Sequence, residues 1–191
     1  MSSAYYFCNN LLSPVSGINV KNMSNSYIYC IRLTNMAACG DNVINMYNTY
    51  SNCWNLTQAV CGPNVVDMSY TYFNCNNLTG NAACGNNVKY MSNTYVNCRK
   101  LIQAICGNSV INMDNTYRDC RNLTQAVCGP NVFDMNGTYR SCINLIGNAV
   151  CGDNVKYMNY TYADCHNLIQ AACGDNVTDM ISTYGGCNSL I

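Results

Sequence analysis

The chain has 191 residues, enough for one domain with a sizeable core, and 49% of them are hydrophobic. Only 9% are charged, with nine Lys plus Arg against nine Asp and no Glu, so the formal net charge is zero; an average protein carries about 25% charged residues. That balance excludes a general electrostatic pull toward nucleic acid or an anionic membrane, and solubility falls to Asn, Ser, Thr and Tyr.

The chain opens with MSSAYYFCNNLL, which lacks the basic and continuous apolar regions of a secretory signal. No apolar run approaches a membrane span, so no membrane insertion is expected. These features predict a chain that is cytoplasmic at synthesis, with a virion or extracellular location after lysis as one open alternative and a mature, processed form as another.

From there the chain repeats itself. A Cys in the frame Y-x-x-C falls at Cys8, Cys30, Cys53, Cys75, Cys98, Cys120, Cys142, Cys165 and Cys187, in steps of 22 or 23 residues. A second ladder runs Cys39, Cys61, Cys84, Cys106, Cys128, Cys151 and Cys173, with Ser16 in the first copy, and the two ladders account for all 16 cysteines. The segment from second to first Cys keeps its length. The extra residue enters elsewhere, as in Thr79-Gly80-Asn81 against Thr57-Gln58, which places a surface corner there. Columns of Met (Met23 to Met180), Tyr (Tyr27 to Tyr184) and Leu (Leu11 to Leu190) follow the same period. A fixed step of this size is the signature of a solenoid built one coil at a time.

Within one coil, Val65, Met68, Tyr72 and Cys75 are spaced by 3, 4 and 3, which predicts one face of a short α- or 3₁₀-like helix. Thr71 and its equivalents are expected to sit half-buried beside the Tyr, bonding back to a carbonyl. Asn42, Asn64, Asn87, Asn131, Asn154 and Asn176 predict a stacked amide ladder across the turns. The segment Leu56–Cys61 reads as a short strand with Leu56, Ala59 and Cys61 inward and Gln58 and Val60 outward. Stacking then gives a parallel sheet and an α/β solenoid of about eight coils occupying 1–191 as one domain, with a half-coil at each end and no separate cap. The outward rows, Gln58, Val60, Ala83, Gln103, Ile105, Gln125, Val127 and Val150, form the candidate binding face.

The stretch NVVDMSYTYFNCNNLT resembles the BspA-like class of leucine-rich repeats, whose units read N-V-x-x-M, then an aromatic, x-x-C-x-x-L. The likeness runs from Tyr5 to Leu190. It departs in Thr-Tyr where Met-Phe or Ala-Phe is usual, and in Ala-x-Cys where the strand usually carries Leu or Ile. The resemblance implies a curved, right-handed coil stack used in surface attachment and protein recognition in bacteria, protists and their viruses, with no enzymatic residues.

The residues themselves argue the same way. The ladder positions favour both cysteine columns as buried packing; disulfides between adjacent coils stay open, and metal ranks third because no His or carboxylate ladder completes a ligand set. The lone His166 sits at a variable corner, and Asp67, Asp134 and Asp179 lie in non-adjacent coils, so no acid, base and nucleophile converge and no enzyme, cofactor or metal site is expected. Arg99, Lys100, Arg118, Arg121 and Arg140 form a basic corner patch that Asp114 and Asp119 dilute, which suits an acidic protein or glycan partner better than nucleic acid. Tyr5, Phe7, Leu11, Leu190 and Ile191 are expected to expose apolar ends that a neighbouring chain or second copy would cover. The function expected is a non-catalytic attachment, virion-decoration or receptor-binding component, with a cytosolic interaction scaffold or effector as the alternative and ice binding ranked last.

Overall fold

The coils stack as the period requires. A computed structural model describes residues 1–34 and 37–191, and its core is a set of columns parallel to the stacking axis. Val43, Met46, Tyr50, Cys53 and Leu56 are fully buried, as are their equivalents in the following coils through Leu168. Each column places like on like. The tyrosines from Tyr5 to Tyr184 form one continuous stack, rings 5.0 to 5.8 Å apart and within 12° of parallel, the offset arrangement aromatic rings prefer.

The predicted helix is absent: among the described residues the regular elements are four short strands. Two consecutive four-residue turns replace it. Thr71 N–H closes on Met68 O at 2.9 Å and Cys75 N–H on Tyr72 O at 3.0 Å. The third residue of each turn, Tyr70 or Asn74, has positive φ (59° and 58°), as a type II turn requires. The intervening amides turn outward along the axis instead of toward i−4. Met68, Tyr70, Tyr72 and Asn74 donate to Tyr90, Ser92, Thr94 and Val96 of the next coil at 2.8 to 2.9 Å. Two such turns bring every third or fourth side chain inward, so the inward spacing imitates a helix. Asn occupies many of the left-handed positions, where it is tolerated better than most residues, and its side chains bond coil to coil, Asn97 to Asn74 at 2.8 Å and Asn74 to Asn52 at 2.9 Å.

Thr71 and its equivalents are fully buried rather than half-buried. Thr94 Oγ1 donates toward Met91 O in its own coil at 2.7 Å and lies 2.9 Å from Met68 O in the preceding one. Each hydroxyl thus ties two coils.

The sheet is also shorter than predicted. β1 (Gly80–Asn81) pairs in parallel with β2 (Leu101–Gln103), and β3 (Gly147–Asn148) with β4 (Leu168–Gln170). Both pairs slip register after the glycine. Gly80 and Gly147 carry the inserted residue at positive φ with open space around them, so the length change is absorbed in a bulge at the surface. A second line of parallel bridges runs through the whole stack at the residue before each Met, from Asn22 through Asn45, Asp67, Tyr90, Asn112, Asp134 and Tyr157 to Asp179.

Candidate binding groove

A row of surface depressions lies along that unbroken line of bridges. In the V-x-x-M units from Val43 to Met158 the Val and Met are buried, and the two residues between them face outward. The first of the two makes a column of Lys21, Ile44, Val66, Lys89, Ile111, Phe133 and Lys156. Beside it stands the predicted Asn ladder, and each amide donates to a turn carbonyl one coil back: Asn64 to Asp41 O at 2.9 Å, Asn87 to Pro63 O at 2.9 Å, Asn154 to Pro130 O at 2.7 Å. Between column and ladder runs a groove. One section, of about 990 Å³, is lined by Lys89, Ile111, Phe133 and Lys156 with Tyr90, Asn131 and Asn154 at its sides. A second, of about 370 Å³, is lined by Lys21, Ile44, Val66 and Lys89. Lys89 lines both, so the two sections adjoin at that residue.

The groove's side chains are set by their neighbours. Lys156 Nζ lies 5.4 Å from the centre of the Phe133 ring, a cation–π contact. The Asp134 carboxylate accepts the Asn136 N–H at 2.9 Å, and burial raises its pKa. The turn glycines at the groove's edge are required by close approach. A Cβ on Gly129 would meet Cys106 Sγ at 2.8 Å and Gly107 O at 2.9 Å.

The predicted binding face lies on the other side of the coil. Gln58, Gln103 and Gln125 are exposed, while Val60, Ala83, Ile105, Val127 and Val150 are half-buried. The inward set is mixed: Leu56 is buried, but Ala59 and Cys61 are half-buried like Val60. The reason is the tyrosine column. Tyr72 Oη donates to Val60 O at 2.6 Å and accepts from Val60 N–H at 2.9 Å. The same double contact joins Tyr50 to Ala38, Tyr95 to Ala83, Tyr117 to Ile105, Tyr139 to Val127 and Tyr162 to Val150. A phenol can do both at once. The main chain of this residue therefore turns inward to the hydroxyl instead of along the axis to a neighbouring strand, and the strands stop short of it. Depressions open on this face too, one of about 430 Å³ at Ser16, Ala38, Cys39, Val60 and Cys61 and one of about 310 Å³ at Gln125, Ala126, Ile146, Gly147 and Asn148, each smaller than the 990 Å³ section.

Stacked one-coil repeats with a Leu column buried from Leu33 to Leu168, parallel bridges and no helix among the described residues narrow the fold to few possibilities. No family model and no curated protein matches the sequence. Among solved structures, a leucine-rich repeat protein from Bacteroides ovatus superposes with a TM-score of 0.77 at 13% identity, over 100% of this chain and 56% of that one. A T. pallidum leucine-rich repeat protein gives a TM-score of 0.70 at 15% identity, over 82% of this chain and 77% of that one. The fold is a leucine-rich-repeat solenoid. The chain spans 56% of the length of the B. ovatus protein.

In this leucine-rich-repeat solenoid the two cysteine columns differ. The first is buried from Cys30 to Cys165, with Cys8 exposed and Cys187 half-buried at its ends, and its thiols approach the Tyr carbonyl of the preceding coil at 2.9 to 3.1 Å, as from Cys75 to Tyr50 and from Cys53 to Tyr27. The second is half-buried, with Cys106 Sγ 3.5 Å from Met113 Sδ and 3.6 Å from Gly107 O. Burial raises the thiol pKa in both, to about 12 for Cys61, Cys106 and Cys165, the reverse of what a reactive thiolate needs. Among the described residues no three His, Cys, Asp or Glu side chains converge as a metal set would. His166 is exposed, its Nδ1 2.9 Å from Gly186 O.

The basic corner is only partly assembled. Arg118 and Arg121 both lie near Asp119, at 3.6 and 3.8 Å, and Arg140 sits over the Tyr160 ring at 5.4 Å. Arg99 and Lys100 are exposed. Of the residues expected at the ends, Tyr5, Leu11 and Leu190 are half-buried, Phe7 stacks on Tyr29 at 4.7 Å, and Ile191 is exposed. Sequence reading missed the groove column; its signal was the apolar residue that follows the buried Val in Ile44, Val66, Ile111 and Phe133.

Proposed function

We propose that the solenoid is a non-catalytic protein-binding module that receives its partner in the groove running from Lys21 to Asn176. One observation carries this reading: Ile44, Ile111 and Phe133, each 37 to 46% exposed, line two adjoining depressions beside an exposed amide ladder. A few hundred Å² of contiguous apolar surface commonly marks an interaction site. Surface attachment, including decoration of a virion or recognition of a receptor, is the setting the BspA-like repeat suggests; a cytosolic scaffold would use the same groove. The Gln58–Val60 face is a second candidate, favoured by its exposed Ile102, Ile146 and Ile169 at 55, 56 and 44%.

A paired substitution separates the two faces. The purified chain is immobilised and challenged with lysate and with intact cells, and retained proteins are identified by mass spectrometry. A partner kept by the wild type and by Val127→Lys but lost by Phe133→Lys supports the groove. The opposite pattern moves the site to the strand face, and circular dichroism confirms that both variants remain folded.

A further inference from the structure

Several of the residues that differ from coil to coil recur every third coil. Pro63 and Pro130, Gly80 and Gly147, Lys89 and Lys156, and Tyr90 and Tyr157 are each 67 positions apart. The structure repeats with them, since β1–β2 and β3–β4 are the same pairing with the same register slip. On the groove, Lys21 precedes Lys89 by 68 positions and so extends the series. Each pair of lysines brackets two coils with an apolar floor, Ile44 and Val66 in one section and Ile111 and Phe133 in the next.

We propose that this groove binds an extended acidic peptide segment of a protein partner in consecutive equivalent subsites, with carboxylates meeting Lys21, Lys89 and Lys156 and apolar side chains lying between them. The proposal rests on the groove being the binding site and adds the chemistry and register of what fills it.

Charge favours an anionic occupant. On a chain of zero net charge, the groove gathers three lysines against one acid, Asp134, whose carboxylate is engaged by the Asn136 N–H. Both ion pairs among the described residues form at Asp119, away from these lysines. Spacing then selects the polymer. At about 4.8 Å per coil, lysines three coils apart are about 15 Å apart, and a peptide rising about 3.3 Å per residue crosses that distance in four to five residues. A nucleic acid places a phosphate every ~3.4 Å of each duplex strand, and most of its charges would lie over Ile and Phe with no cation to meet them. The Asn ladder spends its N–H groups on the neighbouring turns, which leaves side-chain carbonyl oxygens to accept from peptide amides.

The test uses two fluorescein-labelled synthetic peptides of identical composition, one with Asp at every fourth position, Val midway between and Thr elsewhere, so that Asp and Val share one face of the extended chain, the other with the Asp residues clustered at one end. Fluorescence anisotropy against the whole chain is expected to show the spaced peptide binding about tenfold or more tighter than the clustered one. Lys89→Glu, which serves both sections, is expected to weaken it most, Lys21→Glu and Lys156→Glu less and by similar factors, with Lys89→Arg retaining binding. Equal binding of the two peptides, or indifference to the lysine substitutions, overturns the proposal. If the lysines do not matter but Ile111→Asp abolishes binding of both peptides, the groove stands and the charge register falls. If Ile111→Asp is also without effect, the groove itself falls.

Discussion

The two outward faces of each coil are held by different chemistry. On the groove face, main-chain bridges run without interruption from Asn22 to Asp179, and the side chains between the buried Val and Met change freely from Lys to Ile to Phe. On the strand face, the residue at the Val60 position gives its N–H and C=O to a tyrosine hydroxyl twelve residues ahead. Among the described residues, coil-to-coil strand pairing there is reduced to two short patches. The difference teaches where variation is free. Backbone groups satisfied by backbone leave the side chains uncommitted, whereas backbone satisfied by a side chain binds that face to one residue type.

Alkaline pH strikes the strand face through its tyrosines and both cysteine columns together, and it carries the largest expected effect. Burial holds the Cys30 and Cys128 thiols at about 11 and those of Cys61, Cys106 and Cys165 at about 12, against a reference of 9.0. Tyr95 and Tyr117 are raised well above 10.0 for the same reason. The folded chain therefore keeps protons that the unfolded chain releases. Stability is complete below about pH 9 and is lost as pH climbs toward 11 and 12. Denaturant melts at stepped pH should show a plateau to about pH 8 and cooperative unfolding by about pH 11; unchanged stability there would mean the thiols and phenols are not sealed. Asp114 and Asp134, raised by burial, act at the other end. Acidification through their range returns a small gain.

Next in size is Tyr95→Phe. It keeps the ring stack and removes the partner of both Ala83 main-chain groups, at 2.9 and 2.7 Å. Stranding a buried polar group costs about 1–3 kcal/mol, so a loss of about 2–4 kcal/mol is expected in urea denaturation. Hydrogen exchange should localise it: the Ala83 amide loses protection while the Met91 amide, bonded to Asn112 O at 3.0 Å, keeps its own. Equal loss at both would show that the two faces are not independently held.

How much of this could be read from residues alone follows the same division. The Leu, Val, Met and Tyr columns are buried where the period places them, and Asn64, Asn87 and Asn154 bond across turns as their stacking implies. The helix was illegible because the inward spacing of Val65, Met68, Tyr72 and Cys75 is common to a helix and to paired turns. What separates them is positive φ at Tyr70 and Asn74, and Tyr does not announce that conformation as Gly would. The truncated sheet was illegible because it depends on a hydroxyl reaching a main chain twelve residues away. The groove was missed for a related reason. A column of outward residues becomes a depression only when the neighbouring Asn row stands beside it, and that is a property of the turn.

The smallest effect tests whether the groove face depends on its own side chains. Asn154→Ala removes the 2.7 Å bond to Pro130 O at an exposed position, where water replaces the lost donor. The main-chain bridges on either side, Asp134 to Tyr157 and Tyr157 to Asp179, are untouched. A loss of about 0.5–1 kcal/mol is expected, below that of Tyr95→Phe on the opposite face. A loss of about 2 kcal/mol or more would mean that the amide ladder shares the work of stacking. The groove wall would then be structural, and the freedom to vary would be confined to the Lys21–Lys89–Lys156 column.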